Sequence, residues 1–398
     1  MGNQFTKVTR NSWGQRLSGS VTGVLIGLFL IPFSLWGLWT NEGRKDLSEL
    51  AKESVVVSAD AVDNGKNGVF AAVSGKFTTE ETLGDEPFHM PGKYIALERV
   101  VEMYAWRENK ESSEEVDTVG GGSTTTTTYT YTKEWTTMPE NSSSFEYPDG
   151  HENPSMPING TSLRAGFANV GAYAVDPQTI DLPGSSRVKA KPAENLEGYV
   201  KVGEYLYNRE AASSAPQVGD VRISHNAIVS GISVTVLGMI QDGNIVSYSK
   251  NDMTIHRVFQ GTRQDAIEQL RLEYVIVLWI IRILGIIGLR IGLGLLVDPI
   301  VKLLSVVGVV GSIAEGVMGL VNSLIAFFVG VTTILVSMLL HNIYVLIFLL
   351  LVIIGVAVYY LRNKSLKSIA AGLFNKDDAP APAAAAAGGD DTSPPKMG

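Results

Sequence analysis

The 398-residue chain carries 32 Lys and Arg against 40 Asp and Glu, a formal charge of −8, and no cysteine. The acidic balance disfavours nucleic acid, whose binding rests on phosphate neutralisation. The lack of thiols excludes disulfides, thiolate metal sites and a cysteine nucleophile. Apolar residues concentrate in 21–39 and in the last third, so the lipid bilayer takes a large share of them.

Residues 1–20 carry Lys7, Arg10 and Arg16, and 21–39 is long enough to span a membrane. A cleaved secretory signal is the rival reading. It is rejected because the apolar stretch exceeds the ~7–15 residues of a signal core, and its exit runs through bulky Trp36 and Trp39. Gly19, Gly23 and Gly27 recur every four residues and line one helix face; Gly288 and Gly292 repeat the device in the second span. Such faces let two helix backbones approach closely, within one chain or between subunits, although glycine is also simply common in membrane helices.

Residues 41–272 form a β-rich extramembrane domain, with 34 acidic against 21 basic residues over 41–274. Strand-like runs at 94–107 and 126–136 flank Gly120-Gly121-Gly122, which predicts a long hairpin with a flexible tip. Residues 139–195 read as loops with short helical pieces around 161–174, and Asp242-Gly243 marks a tight hairpin within 233–249. From Thr262 the pattern turns helical and continues into a second span, 275–297. The link 298–316 opens on Asp298-Pro299, where proline argues against continued helix, and reads as an interfacial amphipathic helix or a re-entrant piece. Spans at 317–340 and 343–361 follow, then a low-complexity tail, 375–398, expected to be disordered.

The fold class is therefore an integral membrane α+β protein: four transmembrane helices, one N-terminal and three C-terminal, with the large β-rich domain between the first and second. Lys7, Arg10 and Arg16 before the first span, with Arg362, Lys364 and Lys367 after the last, place both termini in the cytosol and 41–272 in a periplasm or lumen.

Arg282 and Arg290 stand eight residues apart, about 80° around a helix, so one side of the second span presents both. Each costs about 3 kcal/mol at a bilayer centre and needs a partner. Glu315 is the natural one for Arg290, while Arg282 reaches water, lipid phosphate or a backbone carbonyl. Structural pairing is the bland reading and an ion path the sharp one. His89, His151, His225 and His256, with Glu102 and Glu134, lack the close spacing of zinc motifs, and no phosphate loop, metalloprotease helix or serine elbow is present. No metal, cofactor or catalytic residue is assigned.

Five segments resemble the transmembrane protein 43 (LUMA) family: Thr40-Asn41-Glu42-Gly43-Arg44, Val101-Glu102-Met103-Tyr104-Ala105-Trp106, the Tyr129 to Trp135 strand, Gly150-His151-Glu152-Asn153-Pro154-Ser155, and Val218-Gly219-Asp220-Val221-Arg222. The first reads as a helix exit with Gly43 as a left-handed cap and Arg44 meeting lipid phosphates. The cysteine-free chain with its Ala/Pro tail is similar to a bacterial member, which favours an inner membrane and periplasmic domain over an endoplasmic-reticulum or inner nuclear membrane. The resemblance implies no enzymatic activity; it implies membrane organisation and self-association. The expectation is a non-enzymatic scaffold contacting membrane lipids, further copies of itself and other membrane proteins. A transporter or channel using Arg282 and Arg290 is the alternative.

Overall fold

The computed structural model describes residues 3–117, 120–184, 187–194, 196–304, 309–341, 347–348, 350–360 and 362. They divide into two units, Met1–Leu335 and Val336–Gly398.

Two-residue alternation builds the domain of the first unit. In β3 (Phe70–Thr78), Ala71, Val73 and Phe77 enter one core while Phe70 and Ala72 enter another. Strand β15 (Ile232–Gln241) divides Val234, Val236 and Ile240 from Leu237 in the same way. The first core is enclosed by a closed circuit of pairings: β3 to β15, β15 to β16 (Asn244–Val246), β16 to β10 (Tyr173–Val175), β10 to β9 (Ala168–Val170), and β9 back to β3. Asp242 and Gly243 turn β15 into β16 with φ of 49° and 78°, the expected tight hairpin. The second core is capped by Leu50 and Ala51 of α2 (Leu47–Lys52) and by Ala266, Ile267 and Leu270 of α3 (Arg263–Leu304).

A second sheet runs in the order β1 (Gln4–Asn11), β7 (Ser123–Thr136), β6 (Tyr94–Val116), β14 (Val221–Val229), β13 (Tyr205–Tyr207), β12 (Val200–Val202), with β8 (Thr161–Arg164) on β6 and β11 (Val188–Ala190) on β14. Strands β6 and β7 are the expected hairpin, but longer, pairing from Met103 and Thr136 out to Val116 and Ser123. The helical pieces expected around 161–174 are instead the strands β8, β9 and β10, because edges of β6, β3 and β16 take up their backbone groups.

The N-terminal segment departs from expectation. Residues 4–11 form an antiparallel ladder with β7, from Gln4 and Thr130 to Asn11 and Ser123. Two paired strands share one side of a membrane, so this sheet does not agree with a cytosolic 1–20 opposite an external 41–272. The cations behind that orientation are neutralised by the domain itself: Lys7 pairs with Glu146 at 2.6 Å, Arg10 with Asp117 at 3.5 Å and Arg16 with Glu114 at 3.2 Å.

Among the described residues, three helices are long and apolar enough to cross a membrane: α1 (Trp13–Glu42), α3, and α4 (Val309–His341). Ser12 and Gln15 form a capping box that starts α1. Pro299 lies inside α3, which continues to Leu304 with an Asp298–Lys302 pair at 2.7 Å across it, so the expected break is absent. Residues 298–304 belong to α3 and 309–316 to α4. The expected interfacial link is thus largely helix. In the second unit, the described part of the expected fourth span includes a short apolar helix, α5 (Leu350–Tyr360). Residues 342–346, 349 and 361 of that span and the tail 375–398 lie outside the described residues.

Candidate functional site

Helices α1 and α3 run antiparallel in close contact, and the small-residue faces explain the proximity. A methyl group built on Gly27 would lie 2.7 Å from the Gly292 carbonyl, one on Gly292 2.7 Å from Ile31, and one on Gly23 3.1 Å from Leu295. Gly288 accommodates Ser34, whereas a methyl group built on Gly19 would meet no atom of another helix within 4 Å among the described residues. Four of the five predicted glycines therefore meet the neighbouring helix within the chain. The sequence reading missed Gly285, against Leu38, and Gly330, against Ile286. Leu38, Leu289, Ala326 and Ile334 complete the bundle core.

Arg282 has a partner that local spacing did not show. Its Nε and Nη2 donate to the two Glu42 carboxylate oxygens at 2.8 and 2.7 Å, and the side chains are only 13 % and 3 % exposed. The guanidinium also lies 4.9 Å from the Trp279 ring centroid. Asn41 Nδ2 donates to the Leu278 carbonyl at 3.0 Å, fixing the same crossing. Gly43 has φ of −86°, so the α1 exit uses no left-handed cap. Arg44 stands over the Tyr274 ring at 5.4 Å. Arg290 Nε donates to Ser323 Oγ of α4 at 2.8 Å. Its expected pairing with Glu315 falls on a side chain outside the described residues.

The remaining motif residues gather on the sheet of β6, β7 and β14. Positions 102, 104 and 106 share a strand face by alternation, and register sets Glu102 opposite Arg222 and Tyr104 opposite Trp135. Arg222 donates to both Glu102 oxygens at 2.8 Å, with its guanidinium 4.7 Å from the Trp135 ring and 4.6 Å from Tyr205. Further along, buried His151 stacks on Tyr131 at 4.0 Å and meets the Trp106 ring edge-on at 4.7 Å. Burial, with a hydrogen bond to Glu108, pushes the Tyr131 phenol up to about 12. Asn153, before Pro154, grips the Trp106 backbone on both sides, accepting from its N–H at 2.7 Å and donating to its carbonyl at 2.8 Å. Gly219 turns with φ of 93°, and buried Asp220 takes Arg209 Nε at 2.6 Å. These residues lock a loop and a strand end onto the sheet, and none of them converges on a reactive centre.

A buried histidine pair was not singled out from sequence. His225 Nε2 lies 2.7 Å from Asp85, which also receives Arg99 at 2.9 Å, and the His89 ring is 5.0 Å away. Burial lowers the His225 pKa, and Asp85 only partly offsets it. No local spacing marks these residues, which strands β4 (Leu83–Asp85), β5 (His89–Gly92), β6 and β14 bring together. Among the described residues no group of three or more His, Asp or Glu is arranged to hold a metal ion.

Residues 103–343 match the family described as Transmembrane protein 43. The chain belongs to the transmembrane protein 43 family. Mouse Transmembrane protein 43 is 31 % identical over 259 residues, 59 % of this chain and 62 % of the mouse protein. The human protein is 31 % identical over 223 residues, 53 % and 54 % of the two chains. The Drosophila melanogaster homolog is 25 % identical over 233, or 56 % and 62 %. The chain thus spans less than two thirds of the length of these relatives, and no solved structure matches it. The family match takes in the hairpin, β14, α3 and α4, and it leaves out Asn41 to Arg44 and Glu102. The Glu42–Arg282 pair therefore joins an unmatched helix end to a matched one.

Proposed function

We propose that this member of the transmembrane protein 43 family is a non-enzymatic scaffold that self-associates and arranges lipids or partner proteins around its helices and extramembrane domain. The observation that carries the reading is the Glu42–Arg282 pair: a membrane-level charge closed on its own counter-ion in the α1–α3 crossing holds a structure together and offers no ligand to a permeating ion. Helix α3 adds rigidity, since one uninterrupted rod starts in the domain core at Ala266 and ends in the bundle. Exposed apolar residues along α1, α3 and α4, such as Phe29, Ile283 and Leu324, supply the lipid-facing surface. A transporter or channel reading draws on Arg290, an exposed cation at membrane depth beside Ser323. The hosting membrane proposed is a bacterial inner membrane, on the cysteine-free composition.

Reconstitution separates the two. The scaffold reading expects stable multi-copy complexes by native mass measurement in lipid and no ion flux in vesicles. Monomers at every lipid density, or flux that disappears in Arg282→Ala or Arg290→Ala, would overturn it.

A further inference from the structure

Where the domain meets α3, a groove of ≈ 400 Å³ is lined by Ser48, Lys52, Ile267, Glu268, Arg271, Leu272 and Val275. Its height is that of a bilayer surface: Val275 opens the second apolar span, and Tyr274, Trp279 and Trp39 form the aromatic collar typical of headgroup level. Buried Ser48 lines it and is held by the Asp46 carboxylate, to which its backbone N–H donates at 2.9 Å. Below it, exposed Leu272, Ile276, Trp279, Ile280 and Ile283 follow helical spacing and continue the apolar floor down α3 toward the hydrocarbon.

The charges alternate in sign. Lys52 pairs with Glu49 at 2.7 Å and Arg271 with Asp46, and both cations remain about half exposed, while Glu268 has only Gln264 as its described partner, at 2.9 Å. With Asp46 and Glu49 beside the two cations, a purely anionic headgroup gains little, whereas a zwitterion meets complementary groups at both ends. A quaternary amine would need an aromatic cage, and no aromatic ring lines the groove. A primary ammonium can instead donate to the Glu268 carboxylate.

We infer that this groove binds a glycerophospholipid with a primary ammonium headgroup, of the phosphatidylethanolamine kind. The phosphate sits between Lys52 and Arg271, the ammonium meets Glu268, and an acyl chain follows Leu272 and Ile276. This deepens the membrane-organising reading by naming the lipid. It is read on a single chain, so monomers that retain the lipid leave it standing, and assemblies that lack it overturn it alone.

The test uses the full chain in nanodiscs of equal phosphatidylcholine, phosphatidylethanolamine and phosphatidylglycerol, with retained lipid identified by native mass spectrometry after release. Retention of the ethanolamine lipid about tenfold over the other two is expected, the scale of one charge-assisted hydrogen bond. Glu268→Gln should erase discrimination between ethanolamine and choline lipids, and Lys52→Gln should weaken retention of both. Lys52→Arg, which keeps the charge, should retain both, so that a loss confined to Lys52→Gln is not an effect of unfolding. Equal retention of the three lipids, preference for the glycerol lipid, or unchanged selectivity in folded Glu268→Gln would overturn the assignment.

Discussion

A guanidinium at membrane depth is tolerated in α3 because Glu42 meets it with both oxygens, and removing one member leaves the other buried and unpaired. Glu42→Ala should therefore cost about 3–5 kcal/mol, while Glu42→Leu with Arg282→Leu should be near neutral or stabilising. Chemical unfolding of the three proteins in one detergent checks this, and a double variant as weak as Glu42→Ala would refute the pairing. Arg222 makes a flatter demand. Lysine cannot fork onto Glu102 and lie between Trp135 and Tyr205, so Arg222→Lys should lose roughly 1–2 kcal/mol of domain stability, read as a lowered Tm. His225 brings a pH dependence. Its neutral form is the one the fold accepts, among Asp85, His89 and Arg99, so its lowered pKa makes the unfolded chain the better proton binder. Its contribution is complete above the ordinary value of 6.5 and is lost as pH falls below that toward the lowered folded value. Tm should drop through this window, and His225→Asn should flatten the slope. Sequence exposed Arg282 as a charge needing a partner. It could not expose Glu42, because 240 residues separate the two and only the register of α1 on α3 brings them together.

At the level of elements, the glycine faces decide how near α1 comes to α3. Gly27→Leu must push the helices apart at the Gly292 carbonyl and should cost about 1–3 kcal/mol, whereas Gly19→Leu, with open space around it, should be close to silent. Disulfide trapping between cysteines placed at Ile31 and Gly292 would report the separation, and equal trapping efficiency in the two leucine variants would contradict the packing. Strong periodicity made the long elements legible: three apolar helices, the β6–β7 hairpin and the Asp242-Gly243 turn were all readable in advance. Strands of three or four residues such as β9 and β10 were not, because their pairing is conferred by neighbours distant in the chain. Pro299 misled for a different reason: proline removes one backbone donor, and packing together with the Asp298–Lys302 pair carries α3 past it. Strand β1 was hidden by its polarity, since it joins a Thr-rich edge through backbone groups and exposes most of its side chains.

For the whole molecule, the β1–β7 ladder makes a topological demand that the cation count alone did not. A reporter fused ahead of Gln4 and a label placed at Gly121 must be accessible from the same side of the membrane. Opposite accessibility in intact vesicles would mean that this ladder is not formed in the membrane-embedded protein. The ladder also has a consequence for synthesis. At ~5–20 residues per second, β1 leaves the ribosome roughly 6–25 s before the β7 residues that complete it, and α1 emerges in between. Throughout that interval the nascent chain displays an orphan edge, on which Lys7 and Arg10 act as gatekeepers against premature aggregation until their carboxylates arrive.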